Sequence, residues 1–294
     1  MTTSATAPMR IIDLHSHWGT KRGYPFQTPE ELAQQEKVFR SKPSYMTEPE
    51  MAAHFRELNV QTILDLGVRK PSPIEEVRAL HDYAFEIQRQ YSDVILGSWL
   101  HVDPRMGRAA VEEFERCLLT GSGFIGLGVP GAGFNVPAND PSYAPFYKLC
   151  IEARVPALIM VGYTGIGATL PGGGGVRLEC SHPRYLDDVA AGYPELTIVA
   201  SRPAWPWQTE MIAILIHKSN VWYELHGWSP RYFAPDLKAE IARRLQDRVM
   251  FGADYPLLSY KRLIADWQAE GYPDEVLDKV FRRNAEAFLA TVRR

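Results

Sequence analysis

Two histidines and one aspartate are the residues of this chain whose types and spacing most directly suggest chemistry. His15 and His17 end an apolar run near the N-terminus, and Asp254 ends another near the C-terminus. A strand period of two predicts that Asp13, His15 and His17 point to one face. Two imidazoles and a carboxylate can share one divalent ion, and the carboxylate can instead accept a proton from water.

A simpler structural interpretation exists for each of these features. The His-Ser-His triplet suits an ordinary polar loop, and Asp254, which precedes Tyr255 and Pro256, suits the cap of a turn. The two ends together favour a functional site, because the first and last strands of a closed barrel are neighbours.

The elements that must position these residues are eight short apolar runs rich in Val, Ile and Leu. Such runs are typical of buried parallel strands that are covered on both faces. The predicted strands are residues 9–14, 60–66, 94–100, 123–129, 156–161, 196–201, 221–225 and 248–253.

Helical periodicity separates these runs, for example over residues 73–90 and 207–218. A strand followed by a helix, eight times over, predicts the α/β class, as one (β/α)8 TIM-barrel domain over residues 1–294. An open doubly wound sheet is the alternative, but its first strand would end in a glycine-rich turn. Extra C-terminal helices after Tyr260 are predicted to pack outside the barrel or to serve an oligomer interface.

Two long connections interrupt this rhythm and are candidate lids. They cover residues 20–49, after the first strand, and 162–180, after the fifth, which includes the four glycines 172–175. In a barrel both connections follow the carboxyl ends of strands, where active-site loops lie.

The composition narrows the partners and the location. With 32 basic and 35 acidic residues and a net charge of -3, the chain shows no footprint for nucleic acid or for a membrane surface. A small-molecule substrate and a homodimer are expected instead. The three cysteines, Cys117, Cys150 and Cys180, form no paired motif, which favours free thiols and a cytoplasmic location.

Motifs along almost the whole chain resemble the amidohydrolase-related family that includes aminocarboxymuconate semialdehyde decarboxylase and resorcylate decarboxylases. The resemblance implies a barrel and a single zinc or manganese ion, with His15, His17 and Asp254 in the metal site. The residues that carry it are Asp13-Leu14-His15-Ser16-His17, Leu186-Asp187-Asp188-Val189-Ala190, Tyr193-Pro194-Glu195-Leu196, Trp205-Pro206-Trp207, Gly227-Trp228-Ser229-Pro230-Arg231-Tyr232-Phe233 and Phe251-Gly252-Ala253-Asp254-Tyr255-Pro256.

Two positions depart from that family's pattern. The family has a metal-binding histidine at the end of the fifth strand and a catalytic histidine at the end of the sixth. Aligning the neighbouring motifs puts Met160 and Arg202 at these positions. A thioether is a poor ligand for zinc or manganese, and arginine is no base near neutrality. A cation here would also compete with a metal ion near Asp254.

Substitutes for the two missing histidines lie on other strand ends. His226 shares a face with Glu224 on the seventh strand and is a candidate base or ligand. His101 and Tyr163 are further candidates, for which a hydrogen-bonded polar role in the barrel mouth is the simpler interpretation. Aromatic residues such as Trp228 suit a substrate pocket or the core.

These observations predict an enzyme that hydrolyses or decarboxylates a small, carboxylated cyclic or aromatic substrate. Asp254, Arg202 and His226 are the predicted catalytic residues, with Arg202 as carboxylate anchor beside Tyr163 and Trp228. In a metal-free alternative, Asp254 acts as base and Arg202 replaces the charge of the ion. In the other alternative the barrel is inactive and serves as a ligand-binding or interaction subunit.

Overall fold

A computed structural model describes residues 9–24, 29–40, 45–67 and 72–292 of the chain. Its centre is one sheet of eight parallel strands in chain order, β1 to β8. The strands are β1 Ile11–Ser16, β2 Val60–Asp65, β3 Ile95–His101, β4 Phe124–Val129, β5 Ala157–Met160, β6 Ile198–Ser201, β7 Val221–Leu225 and β8 Val249–Phe251.

The sheet closes on itself beyond the end of β8. The Asp254 N–H donates to the His15 carbonyl at 2.8 Å, and the His17 N–H donates to the Tyr255 carbonyl at 2.7 Å. The predicted (β/α)8 barrel is therefore confirmed, and each predicted strand overlaps an observed one. An open doubly wound sheet is wrong.

Helices surround the barrel and continue after it. They are α1 Pro29–Phe39, α2 Glu48–Glu57, α3 Ile74–Gln90, α4 Arg108–Thr120, α5 Ala144–Ala153, α6 Pro183–Gly192, α7 Gln208–His217, α8 Pro235–Ile241, α9 Tyr260–Ala269, α10 Asp274–Asp278 and α11 Asn284–Thr291. A π-helical turn, Lys279–Arg283, joins the last two, so the predicted extra C-terminal helices are present.

The packing of α3 shows why the outer layer forms. Its buried residues recur at helical spacing, with Val77, Ala84 and Ile87 among them, so one face of the helix lies against the strands. They belong to the large apolar cluster between barrel and helices.

A second apolar cluster lies inside the barrel. Its members come from alternate positions of the strands, and α11 adds Phe288 and Leu289. The apolar side of the last helix therefore packs against the barrel's own interior residues. Strand members of the cluster are Ile12, Leu14, Ile63, Trp99, Phe124, Leu158, Val199 and Met250.

Among the residues that the structure describes, no helix is both long and apolar enough to cross a bilayer.

Candidate active site

Polar side chains form the layer above the interior cluster, at the carboxyl ends of the strands. Because side chains alternate along a strand, each residue two positions beyond a cluster member faces the barrel mouth. Among them are the polar residues Asp65, His101, Ser201 and Glu224, together with Met160 and Gly252.

The first strand reaches the mouth in a different way. Ile12 and Leu14 lie in the interior cluster, so regular alternation would turn His15 outwards. The pairing with β2 is irregular between Asp13 and Ser16, however. This irregularity brings His15 inwards, and the prediction that Asp13 shares its face is wrong.

Asp13 instead ties three elements together outside the mouth. Its carboxylate accepts hydrogen bonds from the N–H groups of His15 at 2.8 Å and Ala253 at 3.1 Å, and from the hydroxyls of Ser16 and Tyr260. Complete burial raises the pKa of Asp13 to about 6, against the opposing effect of these donors. Asp13 therefore supports the seam between β1 and β8.

His17 and Asp254 meet across that seam. His17 Nε2 lies 2.9 Å from Asp254 Oδ1, and both side chains are buried. Burial alone would raise the pKa of Asp254, but the His17 hydrogen bond and nearby His226 hold it well below its usual range. Asp254 has a left-handed backbone, with φ of 60°. A side chain at Gly227 would begin 3.1 Å from Asp254 Oδ2.

His15 lies at the centre of the mouth. Its ring stacks on that of His226, with centroids 3.6 Å apart and planes inclined by 7°. Its Nε2 is 3.5 Å from Asp65 Oδ2, and its Nδ1 is 3.7 Å from Glu224 Oε1. Burial, followed by the charge of His226, lowers its pKa well below the ordinary value. Within the described residues, His15 Nδ1 has no hydrogen-bond partner.

His226 is oriented by the carboxylate two residues before it. Its Nδ1 lies 2.7 Å from Glu224 Oε1, while its main-chain N–H donates to Glu224 Oε2 at 3.0 Å. Ser201 Oγ donates to the same carboxylate. A Cβ at Gly252 would lie 2.4 Å from Glu224 Oε2, so a larger residue there would displace the carboxylate. With Nδ1–H on the carboxylate, the lone pair of Nε2 is available for chemistry.

Arg202 lies where β6 ends. Its Nη1 donates to the carbonyl of Tyr163 at 3.3 Å, and its Nη2 lies 3.4 Å from Met160 Sδ. Its φ of 69° places it in the left-handed region, and its N–H donates to the Glu224 carbonyl at 2.9 Å. The structure therefore places Arg202 beside Met160.

Aromatic side chains stand next to this arginine. The ring of Tyr163 packs edge-to-face against Trp205 and Trp228, with centroids 6.0 and 6.3 Å away. Trp205 is 53% exposed and Trp228 is half-buried, so this aromatic group lies between the core and the solvent.

Asp65 is a residue of the mouth that sequence reasoning missed. It ends β2, and its Oδ1 lies 3.0 Å from His101 Nε2. Burial opposes ionisation, but His101 and His15 hold the pKa of Asp65 well below its usual range. A carboxylate at the end of a barrel strand was the available signal. His101 lies in the mouth at ion-pair distance from Asp65, and its chemical role stays a prediction.

The first candidate lid covers the histidines. Tyr24 is fully buried, with its ring 5.5 Å from that of His17. From α1, Gln34 donates to the Ala168 carbonyl at 2.8 Å, so the two candidate lids touch. Residues 25–28 and 41–44 of the first lie outside the described part. Gly172 to Gly174 have φ near +60°, which suits glycine.

Two overlapping groups have the donor types of a metal site. One is His15, His17 and Asp254, and the other joins His15 to Glu224 and His226. The stacked rings of the second group cannot direct their in-plane lone pairs at one point. The rings of His15 and His17 are inclined by 88°, so the first group fits a shared divalent ion better. The unpartnered His15 Nδ1 is consistent with this fit.

The structure brings most of the predicted residues together. His15, His17, Asp254 and His226 form one cluster, and Arg202 stands with Tyr163 and Trp228 in an adjoining one. Their chemical roles stay predictions.

Comparison with known sequences gives one family. The amidohydrolase family model matches residues 12–291, which is most of the chain. No curated protein matches the chain in sequence.

Solved structures give the same fold. An uncharacterised TIM-barrel protein from Bordetella bronchiseptica is 18% identical, with a TM-score of 0.71 and 96% of this chain and 99% of that chain covered. A 2,6-dihydroxybenzoate decarboxylase from Rhizobium is 15% identical, with a TM-score of 0.66 and 96% of this chain and 98% of that chain covered. A 5-carboxyvanillate decarboxylase from Novosphingobium aromaticivorans, complexed with manganese, is also 15% identical, with a TM-score of 0.69 and 96% of each chain covered.

Proposed function

Because the chain belongs to the amidohydrolase family of enzymes, we propose that it hydrolyses or decarboxylates a small, carboxylated cyclic or aromatic substrate. The observation that carries the proposal is the cluster of His15, His17 and Asp254 at the barrel mouth, where Arg202 donates its main-chain N–H to the Glu224 carbonyl. His15, His17 and Asp254 suit the binding of a cation that acts as an electrophilic centre. The guanidinium of Arg202 suits the binding of a substrate anion.

A divalent ion, zinc or manganese, would be held by His15, His17 and Asp254. Imidazole and carboxylate suit both metals, and a similar decarboxylase contains manganese. Such an ion supplies a positive charge that polarises a substrate oxygen or acidifies a bound water. Asp65, Glu224 and Asp254 put three buried carboxylates around the histidines, which favours a cation there.

Arg202 is proposed to anchor the substrate carboxylate. Its planar fork can donate two parallel hydrogen bonds to a carboxylate, which an ammonium group cannot do. Its contact with the carbonyl of Tyr163, whose ring packs against Trp228, supports an aromatic or cyclic substrate, because a flat ring can pack against those side chains.

His226 is proposed to move the proton that the reaction requires. Glu224 holds its Nδ1, so Nε2 is the nitrogen proposed to accept or deliver the proton. His226, at the end of the seventh strand, would then act as the base, a role that Arg202 at the end of the sixth strand cannot fill.

Metal analysis together with a turnover screen tests the proposal. The purified protein is expected to contain one divalent ion, which a His15→Ala variant loses. Cyclic carboxylic acids, lactones and amides are then screened as substrates. An Arg202→Lys variant is expected to raise KM for the carboxylated substrate about tenfold, with a smaller change in kcat. Binding without turnover would favour the inactive barrel instead.

The metal-free route has its own supporting observation. The Arg202 guanidinium lies 3.4 Å from Met160 Sδ and brings a permanent positive charge to the strand ends where the motif alignment predicts that two histidines of the family are replaced. Full activity after exhaustive chelation would favour this route. Activity that disappears on chelation and returns with zinc or manganese would exclude it.

The remaining expectations concern the setting of the enzyme. The single domain, the cytoplasmic location and the homodimer stay predictions. The apolar face of α11 packs inside its own chain, so a dimer would have to use another surface. Sedimentation of the purified protein measures the oligomeric state.

A further inference from the structure

Asp65, at the end of β2, touches both histidines of the His-Ser-His triplet. We propose that Asp65 positions these two side chains, His17 through its main-chain carbonyl and His15 through its carboxylate. His101 holds the second carboxylate oxygen. This inference rests on the proposed function, in which the two histidines bind a divalent ion.

The contact to His17 selects the nitrogen that is available to a ligand. His17 Nδ1 is hydrogen-bonded to the main-chain carbonyl of Asp65. A carbonyl oxygen only accepts, so Nδ1 carries the proton. The other nitrogen, Nε2, is therefore the one directed at Asp254, from which it is 2.9 Å away.

The contact to His15 limits the rotation of its ring. Asp65 Oδ2 lies 3.5 Å from Nε2, Glu224 Oε1 lies 3.7 Å from Nδ1, and the ring of His226 covers one face. The ring is thus bounded at two edges and on one face. Outer carboxylates of this kind orient imidazole ligands and raise their basicity.

Asp65 is itself held from the outer layer of the barrel. His101 Nε2 lies 3.0 Å from Asp65 Oδ1, and the main-chain carbonyl of His101 accepts from His81 Nε2 at 3.2 Å. The His101 ring fills the space over Gly128, where an added Cβ would lie 2.3 Å from it. Rigid support of this kind is what a positioning residue requires.

Asp65→Asn provides the main test, because it removes the negative charge but keeps the main-chain carbonyl. Zinc and manganese affinities are measured by competition with a chelating dye. We expect affinity to fall about 10–100-fold, the usual effect of losing an outer partner. Asp93→Asn is the matched control, since the exposed side chain of this aspartate pairs with the surface residue Arg56, away from the barrel mouth. Its affinity should equal that of the wild type.

Nitrogen NMR of the histidine rings without metal gives a second readout, which a general loss of stability would not reproduce. In Asp65→Asn the His17 ring should keep the proton on Nδ1, because the main-chain carbonyl is retained, while the His15 signals shift. If this variant fails to fold, His101→Asn should show the same changes with smaller amplitude.

The outcomes separate this inference from the proposed function. A wild-type protein that binds no divalent ion contradicts the metal part of the proposed function, and the NMR result then decides the role of Asp65. Metal affinity and His15 signals that both stay at wild-type values in a folded variant overturn the inference.

Discussion

Two buried clusters of this protein share residue types but differ in how their carboxylates are satisfied. The mouth cluster consists of His15, His17, Glu224, His226 and Asp254. The helix cluster consists of His81, Glu113 and Cys117, on α3 and α4, and also has the donor types of a metal site.

The carboxylate of the helix cluster is fully used by its neighbours. Glu113 accepts from Arg116 twice at 2.8 Å, from Arg78 at 3.1 Å, from His81 at 2.8 Å and from Cys117 at 3.2 Å. Burial opposes ionisation, but these partners lower the pKa of Glu113. Burial, and then the charge of Glu113, raise the pKa of the Cys117 thiol, so it stays protonated.

The mouth cluster has a different balance. Asp254 faces His17, Glu224 faces His226, and His15 keeps a buried nitrogen without a hydrogen-bond partner among the described residues. The comparison teaches that residue type and burial do not define a site. Unused bonding capacity next to negative charge does.

Asp254→Asn should give the largest effect if the mouth cluster is the reactive one. The amide keeps the shape but loses the charge, so we expect metal binding to be lost and kcat/KM to fall about 10³-fold or more. Metal content and turnover are measured on the same preparation, with Asp93→Asn as control. Wild-type turnover in Asp254→Asn would contradict the assignment of the mouth cluster as the reactive one.

His226→Gln should give a smaller effect and leave the ion in place. We expect kcat to fall about 10²-fold, because the amide cannot transfer a proton. The metal stoichiometry should remain that of the wild type, since His226 is outside the preferred ligand set. Loss of the ion in this variant would instead indicate that His226 is one of the metal ligands.

Glu113→Ala tests the helix cluster through stability. Removing the acceptor leaves His81 and Arg78 without this carboxylate partner, while Arg116 keeps Asp82, and we expect unfolding to become easier by about 2 kcal/mol. This is below the usual cost of breaking a buried pair, because both arginines are partly exposed and screened. Urea unfolding measures the change. Metal content should be unchanged, and its loss would contradict the structural role.

The pH dependence of stability gives the smallest and most specific signal. The folded pKa of Glu113 is depressed, so its stabilising contribution is complete above the unfolded pKa of about 4.3 and is lost as the pH falls through the folded value. The stability difference between the wild type and Glu113→Gln should therefore be constant above about pH 5 and shrink below it. A stability difference that grows as the pH falls would contradict the lowered pKa of Glu113 in the folded protein.

The barrel was predictable because buried parallel strands leave apolar runs, and the ends of such runs indicate the mouth. The inward turn of His15 was not, because Asp13 is held outside the mouth by hydrogen bonds that it accepts from Ala253 and Tyr260, which are 240 and 247 residues away. Alternation along β7 correctly placed Glu224 beside His226. The strand-end position of Asp65 was a local signal for its place in the mouth, but its partners lie on other strands and could not be predicted from that signal.

The contact between His17 and Asp254 joins positions 237 residues apart in the chain. An ion held by both side chains would act as a cross-link that closes nearly the whole polypeptide into one loop. Cross-links over long loops restrict the unfolded chain most strongly in polymer terms. Such an ion should therefore slow the separation of the two chain ends, and resistance to proteolysis should rise with metal concentration.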